Sequence, residues 1–228
     1  MDILAESAVR ITVLSLGVAV VLRTLQIRAP QFVHGAWTVV VVVMLLMPVF
    51  VAWGPEFGVP LLPSHTMSGM RVPAAGEVAV AENIPVAASP ATGGAQRRLT
   101  WAAAAMTVYV TGVGLFLLRL AMGLRRARAI RRGAVQVQGR LTHPTCVTPM
   151  TVGIVAPVVI LPPDWASWDD AELSAVLAHE EEHVRRGDPL VTAVALLNRA
   201  VFWFHPLAWW LQREIARLSE HACDAVVI

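Results

Sequence analysis

Hydrophobic and polar positions divide the chain into three regimes. Apolar residues run almost unbroken up to residue 53, residues 54–98 show little periodicity, and from residue 99 an apolar run gives way to strand-like and helix-like periods. Ile3 to Leu22 predicts a first membrane span, interrupted by Glu6 and Arg10 and clean from Ile11 to Leu22. Asp2 and Glu6 stand where a signal peptide would be positive, and no small-x-small cleavage site follows, so a leader is not expected. An amphipathic surface helix is the competing reading. Ala36 to Trp53 predicts the second span, free of charge, with Trp37 and Trp53 expected at the headgroup level and Pro48 as a kink.

Gly54 to Arg98, rich in Pro, Gly, Ala and Ser, is expected to be a flexible loop, with His65 in it solvated. Trp101 to Leu118, within 99–124, predicts a third span. Val135 and Val137 then alternate with Gln136 and Gln138, and Thr148 to Pro162 shows short apolar runs broken by Gly153 and Pro157, as in a hairpin or edge strand. Ala171 to Arg186 predicts a helix, with Ser167 and Asp170 as its capping pair and Gly187 as its end. Asp188-Pro189 starts the next helix, with Asp188 read simply as its cap. That apolar segment reaches Phe204 but is interrupted by Asn198 and Arg199, so a fourth span is doubtful, and core packing and a place at the headgroup level are equally open. Pro206 to Val227 predicts the last helix, and His205 before it has no assigned role. The fold expected is a mainly α membrane protein, about three transmembrane helices (1–53 and 99–124) followed by a small α+β domain over 125–228.

Composition sharpens this picture. Only 15% of the 228 residues are charged and the mean hydropathy is +0.61, too apolar for an ordinary soluble domain. All 18 basic residues are Arg, and Arg119, Arg125, Arg126, Arg128, Arg131 and Arg132 cluster at the end of the third span. That cluster places the span's exit in the cytoplasm, with Arg23 and Arg28, and leaves the N-terminus and 54–98 outside. Because it abuts a span, it suits anionic lipid better than nucleic acid, and no direct nucleic-acid partner is expected. Cys146 and Cys223 lie far apart, fit no zinc-knuckle spacing, and read as free thiols.

The chemistry concentrates in His179-Glu180-Glu181-Glu182-His183. Four residues apart on a helix, His179 and His183 can aim ring nitrogens at one point, which suits one Zn2+ per chain with a third protein ligand and an open fourth position. Glu180 falls on the apolar stripe of Leu173, Val176, Leu177 and Val184, while Glu181 and Glu182 point elsewhere, and it occupies the place of a zincin's general base. On the last helix, Glu220 and Asp224 share a face. Glu220 is a candidate third ligand and Asp224 a partner for the distal nitrogen of a ligand histidine. A surface pair between Glu220 and Arg217, and Glu214 as rival ligand, stay open at this point. Cys223 reads as a small buried residue.

The order of features resembles a known family. Membrane spans and an Arg-rich exit precede P-x-x-x-G-x-x-x-P (Pro149, Gly153, Pro157), VVILP, HEEEHVRRGDP and WWLQREIARLSEHACDAVV. Together these look like the BlaR/MecR-type integral-membrane zinc metallopeptidases, the antirepressor and β-lactam sensor-transducer family, most closely from Thr148 to Val227. The resemblance implies a gluzincin-like domain with zinc on His179, His183 and Glu220, Glu180 as catalytic base, Asp224 behind the ligands, and the Pro149–Leu161 segment as an edge strand beside the site. It further implies a regulatory endopeptidase in the bacterial inner membrane, acting on a cytoplasmic protein or peptide such as a transcriptional repressor. Full-length members carry another span after the peptidase domain and sensor types an extracellular domain. This chain is expected to be truncated after the third-ligand helix, and no Ser-x-x-Lys penicillin-binding domain is present. A CAAX-protease-like housekeeping enzyme and an inactive membrane anchor or sensor module are the alternatives.

Overall fold

The computed structural model describes residues 2–27, 29–53 and 92–227, with side chains over 6–27, 29–53 and 101–225. Arg28, His65 and residues 54–91 of the expected loop lie outside the described residues. Helices α1 (Asp2–Thr24) and α2 (Pro30–Trp53) form an antiparallel pair, and α3 (Thr92–Gly133) is a single helix of 42 residues that carries the apolar run and the Arg cluster. All three are long and apolar enough to cross a membrane.

After α3 the chain makes two antiparallel hairpins, β1 (Val135–Val137) with β2 (Arg140–Thr142), and β3 (Met150–Val152) with β4 (Val158–Ile160). A parallel bridge from Thr142 to Leu161 joins them, so among the described residues β3 keeps one edge unpaired. Helix α4 (Asp170–Arg186), α5 (Asp188–Val201) and α6 (Pro206–Val227) follow. The cap of α4 is Asp169, whose side chain accepts from the Glu172 amide; the expected cap, Ser167, instead sits in a 3-10 turn and donates to the Asp164 carbonyl. Only one residue, Gly187, separates α4 from α5. Its φ of 69° lets it donate back to α4 while turning the chain, a conformation that glycine adopts at no steric cost.

The main core runs between the spans and the last two helices. Ile11 of α1, Val40 and Met44 of α2, Phe202, Leu211 of α6 and Ile215 of α6 are all essentially inaccessible and pack together. Trp37 belongs to this core, edge-on to Trp210 at 4.9 Å, and does not face the headgroups as its position suggested. Trp53 is exposed. The core is closed by a contact between α3 and the turn before α6. The Trp203 indole lies over Gly112, where an added Cβ would come within 2.4 Å of the ring.

That contact separates two neighbouring glycines. Gly112→Ala should lower the thermal midpoint in detergent, whereas Gly114→Ala, with nothing within 4 Å, should be neutral or slightly stabilising because alanine costs less backbone entropy in a helix. Equal midpoints for the two variants would contradict the packing described.

Candidate metal centre

Three elements converge near the Pro30 end of α2. Helix α4 presents His179, Glu180 and His183, α6 presents Ser219, Glu220, Cys223 and Asp224, and β3 lies alongside. The four-residue spacing stacks the two histidines with ring centroids 5.0 Å apart. Each Nε2 faces the Glu220 carboxylate. His179 Nε2 is 3.6 Å from Oε2, and His183 Nε2 is 3.6 Å from Oε1. These separations are too long for hydrogen bonds, and donors bonded to one tetrahedral zinc stand ~3.4 Å apart. The donor set of two imidazoles and a carboxylate therefore fits a zinc ion.

The far nitrogens are committed to other carboxylates. His179 Nδ1 lies 3.2 Å from Asp224 Oδ1, and His183 Nδ1 makes a 2.8 Å hydrogen bond with Asp188 Oδ2. With a proton held on each Nδ1, each Nε2 lone pair is free to point at the shared centre. Glu220 does not pair with Arg217, which instead clasps the rival Glu214 through two hydrogen bonds. The rest of the expected constellation is thus brought together by α4 and α6.

Asp188 corrects its reading as a simple cap. It is the first residue of α5 and is buried, receiving hydrogen bonds from Ser219 at 2.6 Å and Arg186 at 3.3 Å, with His34 of α2 at 3.9 Å. A residue type favoured at helix starts hid this role; the five-residue step from His183 across a helix-ending glycine was the available signal. Glu182 is also buried, turned away from the cleft and held by Arg185. Thr151 of β3 was missed as well. Its hydroxyl lies 2.7 Å from Glu180 Oε2 and 3.2 Å from the Glu180 carbonyl. Cys223 is fully buried beside Asp188 and 3.4 Å from His183 Nδ1. Burial, together with that carboxylate, pushes its thiol up to about 12, so in the metal-free protein it is a neutral neighbour of His183.

The open side is a cleft of about 570 Å³ walled by Leu120 and Leu124 of α3, Thr151 and Val152 of β3, and Thr192 and Leu196 of α5. His179, Glu180, His183 and Glu220 line its floor.

Comparison with known proteins follows the same residues. A family model described as BlaR1 peptidase M56 matches residues 3–228. The chain belongs to the BlaR1 peptidase M56 family. It is also similar to the regulatory protein BlaR1 of Bacillus licheniformis, 36% identical over 85 residues, a match covering 37% of this chain and 14% of that relative's length. Membership and the three apolar helices make this M56 protein a membrane protein of a metallopeptidase family.

In this M56 protein the Asp188–His183 pair has a defined pH signature. Burial opposes the Asp188 charge, but hydrogen bonds from His183 and Ser219, with the Arg186 cation, outweigh it and hold its pKa at about 2. His183 is raised above 6.5, because its bond to Asp188 outweighs burial. In metal-free protein the pair therefore stabilises fully between pH 3.8 and 6.5. Its contribution fades below that window as Asp188 protonates, and above it as His183 loses its proton. Thermal unfolding of metal-free wild type and Asp188→Asn should differ most inside the window, keep a smaller difference above it, where Ser219 and Arg186 still hold the carboxylate, and converge below it. A constant difference across pH would show that the pair is not ionised as described.

Proposed function

We propose that this protein is a multi-pass membrane zinc endopeptidase of regulatory type. Residues 1–53 and 99–124 lie in the inner membrane, with the N-terminus and 54–98 outside and 125–228 facing the cytoplasm. The observation that carries the reading is the pairing of both Nδ1 atoms with carboxylates while both Nε2 atoms turn to Glu220. His179, His183 and Glu220 hold the zinc, and Asp224 and Asp188 fix the two imidazoles. Glu220 and Asp224 remain more than half exposed, which leaves the centre accessible.

When bound, zinc supplies a Lewis acid that acidifies water and polarises a peptide carbonyl. Glu180 takes the proton from the attacking water and passes it to the leaving amine. Thr151 holds Oε2 of Glu180, leaving the other oxygen for that exchange. The unpaired edge of β3 lines the cleft, so an extended substrate can add to it as a strand while its side chains enter the apolar walls. The substrate is a protein, with a cytoplasmic repressor favoured by the similarity to a regulatory protein.

Metal analysis of the detergent-purified protein tests the ligand set: about one zinc per chain in the wild type and little in Glu220→Ala. Unchanged zinc in that variant would remove Glu220 from the site. Asp188→Asn should weaken zinc affinity by about 10–100-fold, measured by chelator competition. Glu180→Gln should retain zinc yet lose peptide cleavage, and normal turnover there would remove it as the base.

A further inference from the structure

Helices α5 and α6 form a hairpin whose depth can be read against the three spans. At its tip, His205 Nε2 is 3.2 Å from Thr12 Oγ1 of α1, and Trp203 Nε1 donates to the Tyr109 carbonyl of α3 at 3.3 Å. Asn198, one turn before the tip, places Nδ2 3.4 Å from Met44 Sδ of α2. Thr12 is nine residues in from Ile3, where the first apolar span starts, Tyr109 eight in from Trp101, and Met44 nine in from Trp53. At ~1.5 Å per residue these rulers put the tip about 12–14 Å from the same ends of the three spans. The base of the hairpin lies at the opposite end, since Asp188 meets His34, four residues in from Pro30.

We infer that α5 and α6 are a re-entrant hairpin immersed in the bilayer, reaching past its middle from the side that carries the metal centre, with lipid acyl chains against Leu197, Phe204 and Trp210. Irregular backbone at membrane depth survives only where protein satisfies its polar groups, and four donors in and around this turn are satisfied internally. The Phe202 amide donates to the Asn198 carbonyl, the His205 amide to the Phe202 carbonyl, the Leu207 amide to His205 Nδ1, and Trp209 Nε1 to the Trp203 carbonyl. The one guanidinium in α5 is accommodated in part, its Nε and the adjacent Asn198 Oδ1 having no hydrogen-bond partner among the described residues. Arg199 donates to Gln212 Oε1 at 2.9 Å and lies over the rings of Trp209 (4.8 Å) and Phe116 (5.7 Å). Leu197, Phe204 and Trp210 remain outward-facing, 38–45% exposed, as does Val108 of α3 at 61%. This inference rests on the membrane character of the chain and not on the zinc assignment.

Spin labels test it in lipid nanodiscs. Single cysteines at 197, 204 and 210, in a Cys146→Ala/Cys223→Ala background, are read for collision with oxygen, which concentrates in hydrocarbon, and with a water-soluble nickel chelate. Val108→Cys serves as the lipid reference and Val155→Cys, 95% exposed, as the water reference. The oxygen-to-nickel ratio at the three positions should match that at 108 and exceed that at 155 several-fold. A ratio like that at 155 would put the hairpin in water and overturn the inference. Low collision with both reagents would mean that protein, such as a second copy of the chain, covers this face, and would overturn it too. A readout that needs no cysteine uses the otherwise unchanged protein. Brominated lipids should quench its tryptophan fluorescence, with a smaller quenchable fraction in Trp210→Phe, and an unchanged fraction would count against lipid contact at Trp210. Zinc content of the same preparations reports separately on the metal centre.

Discussion

One buried carboxylate ties together the end of the molecule that carries the candidate metal centre. Asp188 opens α5, yet it is touched by His183 and Arg186 of α4, by Ser219 of α6 and, at longer range, by His34 of α2. An unpaired buried charge is costly, and this one is offset by three donors on two helices, His183 and Arg186 of α4 and Ser219 of α6. Orienting the helices so that those donors meet Asp188 also orients His183, and through it the Nε2 atom that faces Glu220. The packing of the helices and the chemistry of the site are therefore the same geometric problem.

Much of this was legible in the chain. The three apolar helices follow from hydropathy, though Glu6 and Arg10 interrupt the first, the β3–β4 hairpin from short apolar runs broken by glycine and proline, and α4 from its 3.6-residue stripe. The two histidines and Glu220 come together because spacing on a helix is a local property, and the choice between Glu220 and Glu214 was narrowed by the family resemblance. The missed features are all tertiary. Asp188 looks like a cap because aspartate is common there, and only the position of α6 turns it into a buried acceptor. Thr151 is unremarkable in a β pattern until β3 is laid against α4. Trp37 resembles a belt residue until α6 covers it.

Residues 189–211 show most plainly where periodicity runs out. Asn198 and Arg199 look like interruptions of an apolar segment, and a one-dimensional reading cannot tell a core helix from an interfacial one. In three dimensions each polar group finds a partner for part of its side chain, Met44 for one and Gln212 with two aromatic rings for the other, while Asn198 Oδ1 and Arg199 Nε are buried without one among the described residues. A polar residue inside an apolar run carries no fixed meaning until its partner is known.

The unbroken course of α3 has a mechanical consequence. Gly112 is pressed against Trp203, while Leu120 and Leu124 of the same helix form one wall of the cleft, two to three turns further on. A continuous helix transmits rotation along its axis as a stiff rod. With Gly112 as the fulcrum, a tilt of about 10° moves the Leu124 end by roughly 3 Å, given ~1.5 Å of rise per residue. The width of the groove that would grip an extended chain is thus geared to the angle at which α3 stands among its neighbours.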